Sequence, residues 1–197
     1  MFKLSIETDK GPISVLIEDE EAYLRYSGYQ RGSARPIYRN PDWPIILNKS
    51  WEANFNKIQK LGAFDLPDNP KIVDVGTGVG TLPLLLSKYL NNPTFFLIDK
   101  SLTQVVVEFQ SANNTHGFYN SWDPLISSIS VNNLDRHMFS MNNVDDEWPG
   151  DVDLIISTWS WCWHYPKSAY WRQAISSLKP FGKLQLDVSN WPNVYRI

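Results

Sequence analysis

The sequence predicts an α/β protein built on a doubly wound, mostly parallel sheet, with a β-hairpin and a helical and loop extension before it. Three observations carry this. From residue 70 onward, short apolar runs alternate with segments of helical periodicity, the pattern of a parallel sheet flanked by helices. A glycine cluster, Gly76-Thr77-Gly78-Val79-Gly80, stands between one such run and a helical face. And 197 residues, 43% hydrophobic and 20% charged, make about one domain of ordinary globular composition. No apolar run approaches the ~20 residues of a membrane span. Met1 to Leu4 lead into charge by Glu7, which argues against a secretory signal. The single cysteine, Cys162, excludes an internal disulfide framework and a cysteine-based zinc cluster, and a reducing, cytoplasmic setting is expected. A net charge of −3 offers no global attraction to nucleic acid. Nine Trp, nine Tyr and nine Phe imply either an aromatic core or an aromatic pocket.

Taken in order, Phe2, Leu4 and Ile6 alternate with polar residues, as do Ile13, Val15 and Ile17, and Asp9-Lys10-Gly11-Pro12 between them is turn chemistry. A hairpin is predicted. Residues 25 to 41 hold Arg25, Arg31, Arg35 and Arg39 without an acid, interleaved with Tyr26, Tyr29 and Tyr38. That segment reads as a surface loop or as a lid that prefers an anion or an aromatic ring. Trp51, Phe55, Ile58 and Leu61 recur at helical spacing, with Ser50 as the expected cap and Gly62 after the end. Residues 1–49 are thus read as an extension and residues 50–197 as the main domain.

Lys71 to Val75 is a short apolar run interrupted by Asp74, and Leu82, Leu85, Leu86 and Tyr89 give the helical face beyond the glycines. The loop therefore joins a strand to a helix N-terminus, the crevice where doubly wound sheets bind nucleotides. Position 81 is Thr, so the spacing is G-x-G-x-G rather than the G-x-G-x-x-G of dinucleotide sites, which argues against a nicotinamide oxidoreductase. The Gly-Lys-Ser/Thr of a P-loop is missing too. Asp74-Val75-Gly76-Thr77-Gly78-Val79-Gly80 resembles the first motif of the class I S-adenosylmethionine (SAM)-dependent methyltransferases. Three further stretches are similar to that family in the same order. Thr94 to Asp99 is a second apolar strand ending in an acid, followed by a helical pattern of Leu102, Val105, Val106 and Phe109 with Ser101 as cap. Val152 to Ser157 resembles the fourth strand, and Leu178-Lys179-Pro180-Phe181-Gly182 the turn into the fifth, with Phe181 where the family usually has glycine. The third strand is His137 to Met141 or, in competition, Ile129 to Val131.

The resemblance implies a Rossmann-like fold and SAM as cofactor, with S-adenosylhomocysteine as product. It implies that Gly76, Thr77, Gly78 and Gly80 cradle the amino-acid end, that Asp74 organises the loop and approaches the ammonium, and that Asp99, with Lys100 beside it, meets the ribose hydroxyls. Asn142 or Asn143 stands where the family often has an acid for the adenine amino group; Asp145 and Asp146 are near. The loop after the fourth strand, Ser157 to Pro166, faces the transferring methyl in that family. Thr158 then lines the cofactor, and His164 is the candidate general base. Trp159, Trp161, Trp163 and Tyr165 form either one aromatic wall or core, and Cys162 reads as a small buried residue. No ligand set for a metal is evident. Elements typical of DNA amino-methylating, metal-dependent catechol and aminopropyl-transferring relatives are missing, leaving a small-molecule or undefined acceptor. A SAM-binding module without turnover is the rival reading. The family sheet ends in a two-stranded antiparallel edge that the residues after Val188 are too few to supply; the expectation is either that those strands are missing or that the sheet edge is completed differently, with the N-terminal hairpin as a candidate substitute.

Overall fold

The structure, a computed structural model, describes residues 1–18, 42–99, 110–111, 114–115, 122–158, 160–162 and 167–187. Among the described residues five strands form one parallel sheet: β3 (Lys71–Val75), β4 (Thr94–Asp99), β7 (Phe139–Asn143), β8 (Val152–Ser157) and β9 (Leu178–Leu186). Their order is β7-β4-β3-β8-β9, with β3 in the centre. The chain steps outward from β3 to β4 and β7 on one side, then returns to β8 and β9 on the other. The order therefore reverses between β3 and β8, the topological switch point of a Rossmann-like fold. β3 and β8 are buried almost throughout because helices and loops cover both faces of the sheet, which is why they read as continuous apolar runs.

Alternation along the strands sorts the core into two layers. Ile72, Phe95, Leu97, Phe139, Leu154 and Ile156 pack on one face with α1 (Trp43–Lys60), α2 (Thr81–Tyr89), α3 (Asp123–Val131) and the hairpin β1 (Phe2–Ile6) and β2 (Ile13–Ile17). Val73, Val75, Ile98 and Ile155 pack on the other with Trp148, Trp161 and Ala174, the last from α4 (Trp171–Ser177). A two-residue antiparallel pair, β5 (Gln110–Ser111) with β6 (Asn114–Thr115), lies between β4 and α3.

The hairpin does not complete the sheet edge. β1 and β2 pair with each other alone among the described residues and sit on the helices of one face. The reason is its apolar stripe: Phe2, Leu4, Ile6, Val15 and Ile17 are all buried, and only a face-on position buries them together. Side chains from two helices close its outer edges. On β1, the Ser5 amide donates to Asn48 Oδ1 (2.7 Å) and the Glu7 amide to Glu52 Oε2 (3.3 Å). On β2, Asn132 accepts from the Leu16 amide (2.8 Å) and donates to the Leu16 carbonyl (2.6 Å), and the Glu18 amide donates to Ser128 Oγ (3.4 Å). In both cases residues four apart, Asn48 and Glu52 within α1 and Ser128 of α3 with Asn132 at its C-terminal cap, serve strand positions two apart. The rises agree, about 6 Å against about 6.7 Å.

Three other sequence expectations change. α1 begins at Trp43, after Asp42, so Ser50 lies inside the helix rather than capping it; Pro44, with its fixed φ, suits the first turn. Of the two candidate third strands, Ile129 to Val131 belongs to α3. Arg136–Met138 is a 3-10 turn whose His137 amide donates to Asp135 Oδ1 (2.9 Å), so β7 starts only at Phe139. The helical pattern from Ser101 to Phe109 lies outside the described residues.

Candidate functional site

The parallel register brings the glycine loop and the acidic strand end together. Asp74 pairs with Leu97 and Val75 with Ile98, so the chain leaving β3 at Gly76 runs beside Asp99. The Gly76 amide still donates to the Ile98 carbonyl (2.7 Å), one step beyond the strand. Asp74 and Asp99 point to the same face of the sheet, and both are buried.

Each acid holds one residue of the loop. Thr77 Oγ1 donates to Asp74 Oδ2 (2.6 Å), and the Gly78 amide donates to Asp99 Oδ2 (2.8 Å). The Gly80 amide closes the turn on the Thr77 carbonyl (3.0 Å). Burial pushes the Asp74 carboxyl up to about 7; the Thr77 hydrogen bond opposes this and the charge of Asp99 adds to it.

Two glycines are required by their surroundings as well as by their backbone. Gly76 has φ +73° and Gly80 φ +75°, where a side chain is strained. A Cβ on Gly76 would overlap Cβ and Oγ of Ser160, from the loop after β8. A Cβ on Gly80 would overlap the side chain of Leu125 on α3. Neither Ser160 nor Leu125 stands out in the sequence, because both contacts join segments far apart in the chain.

α2 opens directly from Gly80, and Pro83 occupies its first turn. A proline has no N–H, so this helix end lacks one of the donors that would hold a phosphate. The absence agrees with the G-x-G-x-G spacing.

The loop after β8 is fixed by Ser157. Its hydroxyl donates to the Val75 carbonyl (2.7 Å) and accepts from the Trp161 amide (2.9 Å). Trp161 is fully buried, donates through Nε1 to the Lys167 carbonyl (3.1 Å) and stands edge-on to Tyr170 at 5.6 Å. Of the two readings of the aromatic residues, Trp161 therefore follows the core one. Cys162 is buried at φ +70°, and burial pushes its thiol up, with Lys167 opposing. That is an inert cysteine.

On the far side of β4, register sets Asn142 beside Ile98 and Asn143 beside Asp99. Asn143 thus shares the face of the two acids and Asn142 the opposite one. Asn142 Oδ1 accepts from Ser140 Oγ (3.0 Å); Asn143 Oδ1 accepts from the Val144 amide (2.8 Å). Thr158 and Ser160, which follow the end of β8, are half-buried. Lys100, Trp159, Trp163, His164 and Tyr165 lie outside the described residues, as does the Arg/Tyr segment. Among the described residues no group of His, Cys, Asp and Glu is arranged to hold a metal ion. Nor is any helix there long and apolar enough to cross a membrane.

No family model and no curated protein matches the chain. Among solved structures, PKMT2 from Rickettsia typhi is similar, with 18% identity over 64% of this chain and a TM-score of 0.42. The aligned part covers 23% of the length of that protein.

Proposed function

We propose that the chain is a SAM-dependent methyltransferase acting on an O or N nucleophile of a small molecule. One observation carries the reading: two buried carboxylates, Asp74 and Asp99, lie beneath a single glycine loop. A phosphate there would face two acids and a helix end short of a donor. A cation carrying a ribose diol would face favourable charge and two acceptors. SAM has a sulfonium, an ammonium and no phosphate, so its chemistry fits the residues present.

In this reading the backbone of Gly76 to Gly80 and the Asp74 carboxyl hold the amino-acid end, with Thr77 fixing Asp74. Asp99, with Lys100, serves the ribose. Asn143, beside Asp99 in register, is preferred to Asn142 for the adenine. Bound there, SAM supplies an electrophilic methyl group on sulfur. The contribution of the chain is to align the acceptor and exclude water. The loop after β8 carries Thr158 toward that side, and His164 is the proposed acceptor of the nucleophile's proton.

Calorimetric titration with SAM, S-adenosylhomocysteine and NAD tests the reading. SAM at one hundred times its dissociation constant should stabilise the fold by about 2.7 kcal/mol. Asp99→Ala should abolish that response. Silence toward SAM and its product, or a response to NAD alone, refutes the proposal. Binding without turnover on a metabolite pool would leave the SAM-binding module instead.

A further inference from the structure

The outer edge of the sheet, at β9, is bordered by apolar side chains. Among the described residues β9 pairs only with β8, so its far side has no neighbouring strand. The Asp187 amide donates to the Ser157 carbonyl (3.0 Å). By alternation the Lys183 and Gln185 amides also turn toward β8, and those of Leu184 and Leu186 point outward. Free charges commonly guard such an edge. Here they are tied back into their own fold: Lys179 pairs with Asp153, Lys183 is held by the Gly62 and Asp65 carbonyls, and Asp187 pairs with Lys57 (3.4 Å).

The apolar side chains lie on both faces of the sheet. Leu61 is 63% exposed at the end of α1, four residues beyond Lys57, so it shares the flank that reaches β9. On the other face α4 buries Ala174 and Ser177, while Trp171 and Ile175, four apart, share an exposed flank (49% and 52%). The right-handed connection of parallel neighbours sets that flank on the β9 side. Between the pairs Val152–Leu178 and Leu154–Lys183 the strand bulges, and Phe181 stands in the bulge, fully exposed on a left-handed backbone. A strained residue with an exposed aromatic ring is kept at a cost to the monomer. Phe181 and half of Trp171 present about 300 Å² of side chain. Leu61 and Ile175 add about 100 Å². Homodimer interfaces are about 65% apolar, so this patch extends to about 600 Å² on each copy. The total, about 1,200 Å², exceeds the roughly 1,000 Å² that a specific interface needs.

We propose that the chain forms a two-fold dimer across this edge, with β9 of one copy antiparallel to β9 of the other. An axis normal to the sheet brings the outward backbone groups of Leu184 and Leu186 against the same groups of the second copy. It also sets the apolar flank of each α4 against its counterpart. One patch serves both sides, which closes the assembly at two. The two crevices then open at opposite ends of the joined sheet and stay accessible.

Sedimentation velocity on the full chain across the micromolar range tests this. The wild-type chain should run at twice the monomer mass. Ile175→Glu and Phe181→Gly should each weaken association at least tenfold. Circular dichroism at a dilution where the chain is monomeric separates a lost interface from a lost fold: Ile175→Glu should stay folded, and Phe181→Gly, which relieves its backbone, should be no less stable than wild type. Leu184→Pro removes an outward amide, a position where an edge strand tolerates proline, and should give the same loss if Ile175→Glu fails to fold. A wild-type monomer throughout the range, an open series of larger species, or a dimer that none of these variants weakens would overturn the proposal.

Discussion

At Phe181 the backbone adopts φ +67°, a conformation that suits glycine, while the ring is fully exposed. A left-handed residue other than glycine costs about 1–2 kcal/mol. Phe181→Gly should therefore raise stability by about 1 kcal/mol, after the extra freedom glycine gains in the unfolded chain. A denaturation midpoint that stays put or falls would show otherwise. Gly76 is the opposite case. Gly76→Ala carries the same backbone cost and also collides with Ser160. Adding Ser160→Gly should restore only the steric part, so the double variant should unfold at a midpoint between Gly76→Ala and wild type. Asp74 supplies a prediction in pH. Its carboxyl titrates near 7 in the fold against 3.8 unfolded, so between those values the folded state binds more protons. Stability from this group is complete below about pH 4 and declines as pH rises toward 7, by up to about 1.4 kcal/mol per unit. Asp74→Asn should flatten the decline between pH 5 and 7 in denaturant titrations; an unchanged slope would assign the decline to other groups.

Among the elements, the hairpin shows how side chains can replace a neighbouring strand. A two-stranded hairpin alone is marginal in water. Here α1 and α3 satisfy its outer amides while its apolar face is buried. Asn132 does most on the β2 side, because its amide group both donates to and accepts from Leu16. Asn132→Ala leaves a part-buried amide and carbonyl without that partner and should cost about 2–3 kcal/mol. Asn48→Ala removes one exposed bond and should cost under about 1 kcal/mol. Amide exchange at Leu16 would report the difference directly; equal effects of the two substitutions would contradict the account. The hairpin turn is also held from below. Asp9 accepts from the Tyr89 hydroxyl (3.0 Å), Lys10 lies 4.2 Å from the centre of its ring, and the phenol is pushed up to about 12 by burial and by Asp9.

Over the whole molecule, five strands place every described piece of the candidate site at the same end of the sheet. Beyond the crevice, charged groups tie opposite parts of the fold together. The Lys183 ammonium donates to the carbonyls of Gly62 and Asp65 (both 2.6 Å), joining β9 to the end of α1. Asp153 accepts from the Lys71 amide (2.9 Å) and pairs with Lys179, joining β8 to β3 and β9. That accounts for Asp153 as a structural acid. If the crevice binds a cation through Asp74, affinity for SAM should rise with pH up to about 7 as the carboxyl ionises. Asp74→Asn should remove this dependence in calorimetry at pH 6 and 8, and an unaltered pH profile would count against Asp74 as the ammonium's partner.

Local chemistry made the central strands, the glycine loop and its acids, and the hairpin legible from sequence. Apolar runs buried on both faces, period-two alternation and turn residues act over a few positions. The start of α1 and the start of β7 were misplaced because Pro44 and the Asp135 turn compete with longer-range periodicity. Tertiary structure alone decided the docking of the hairpin, the core role of Trp161, the placing of Asn143 and not Asn142 on the face of the two acids, and the seating of Ser160 against Gly76. Each depends on the register or packing of segments distant in the chain, and a periodicity within one segment carries no information about which neighbour will meet it.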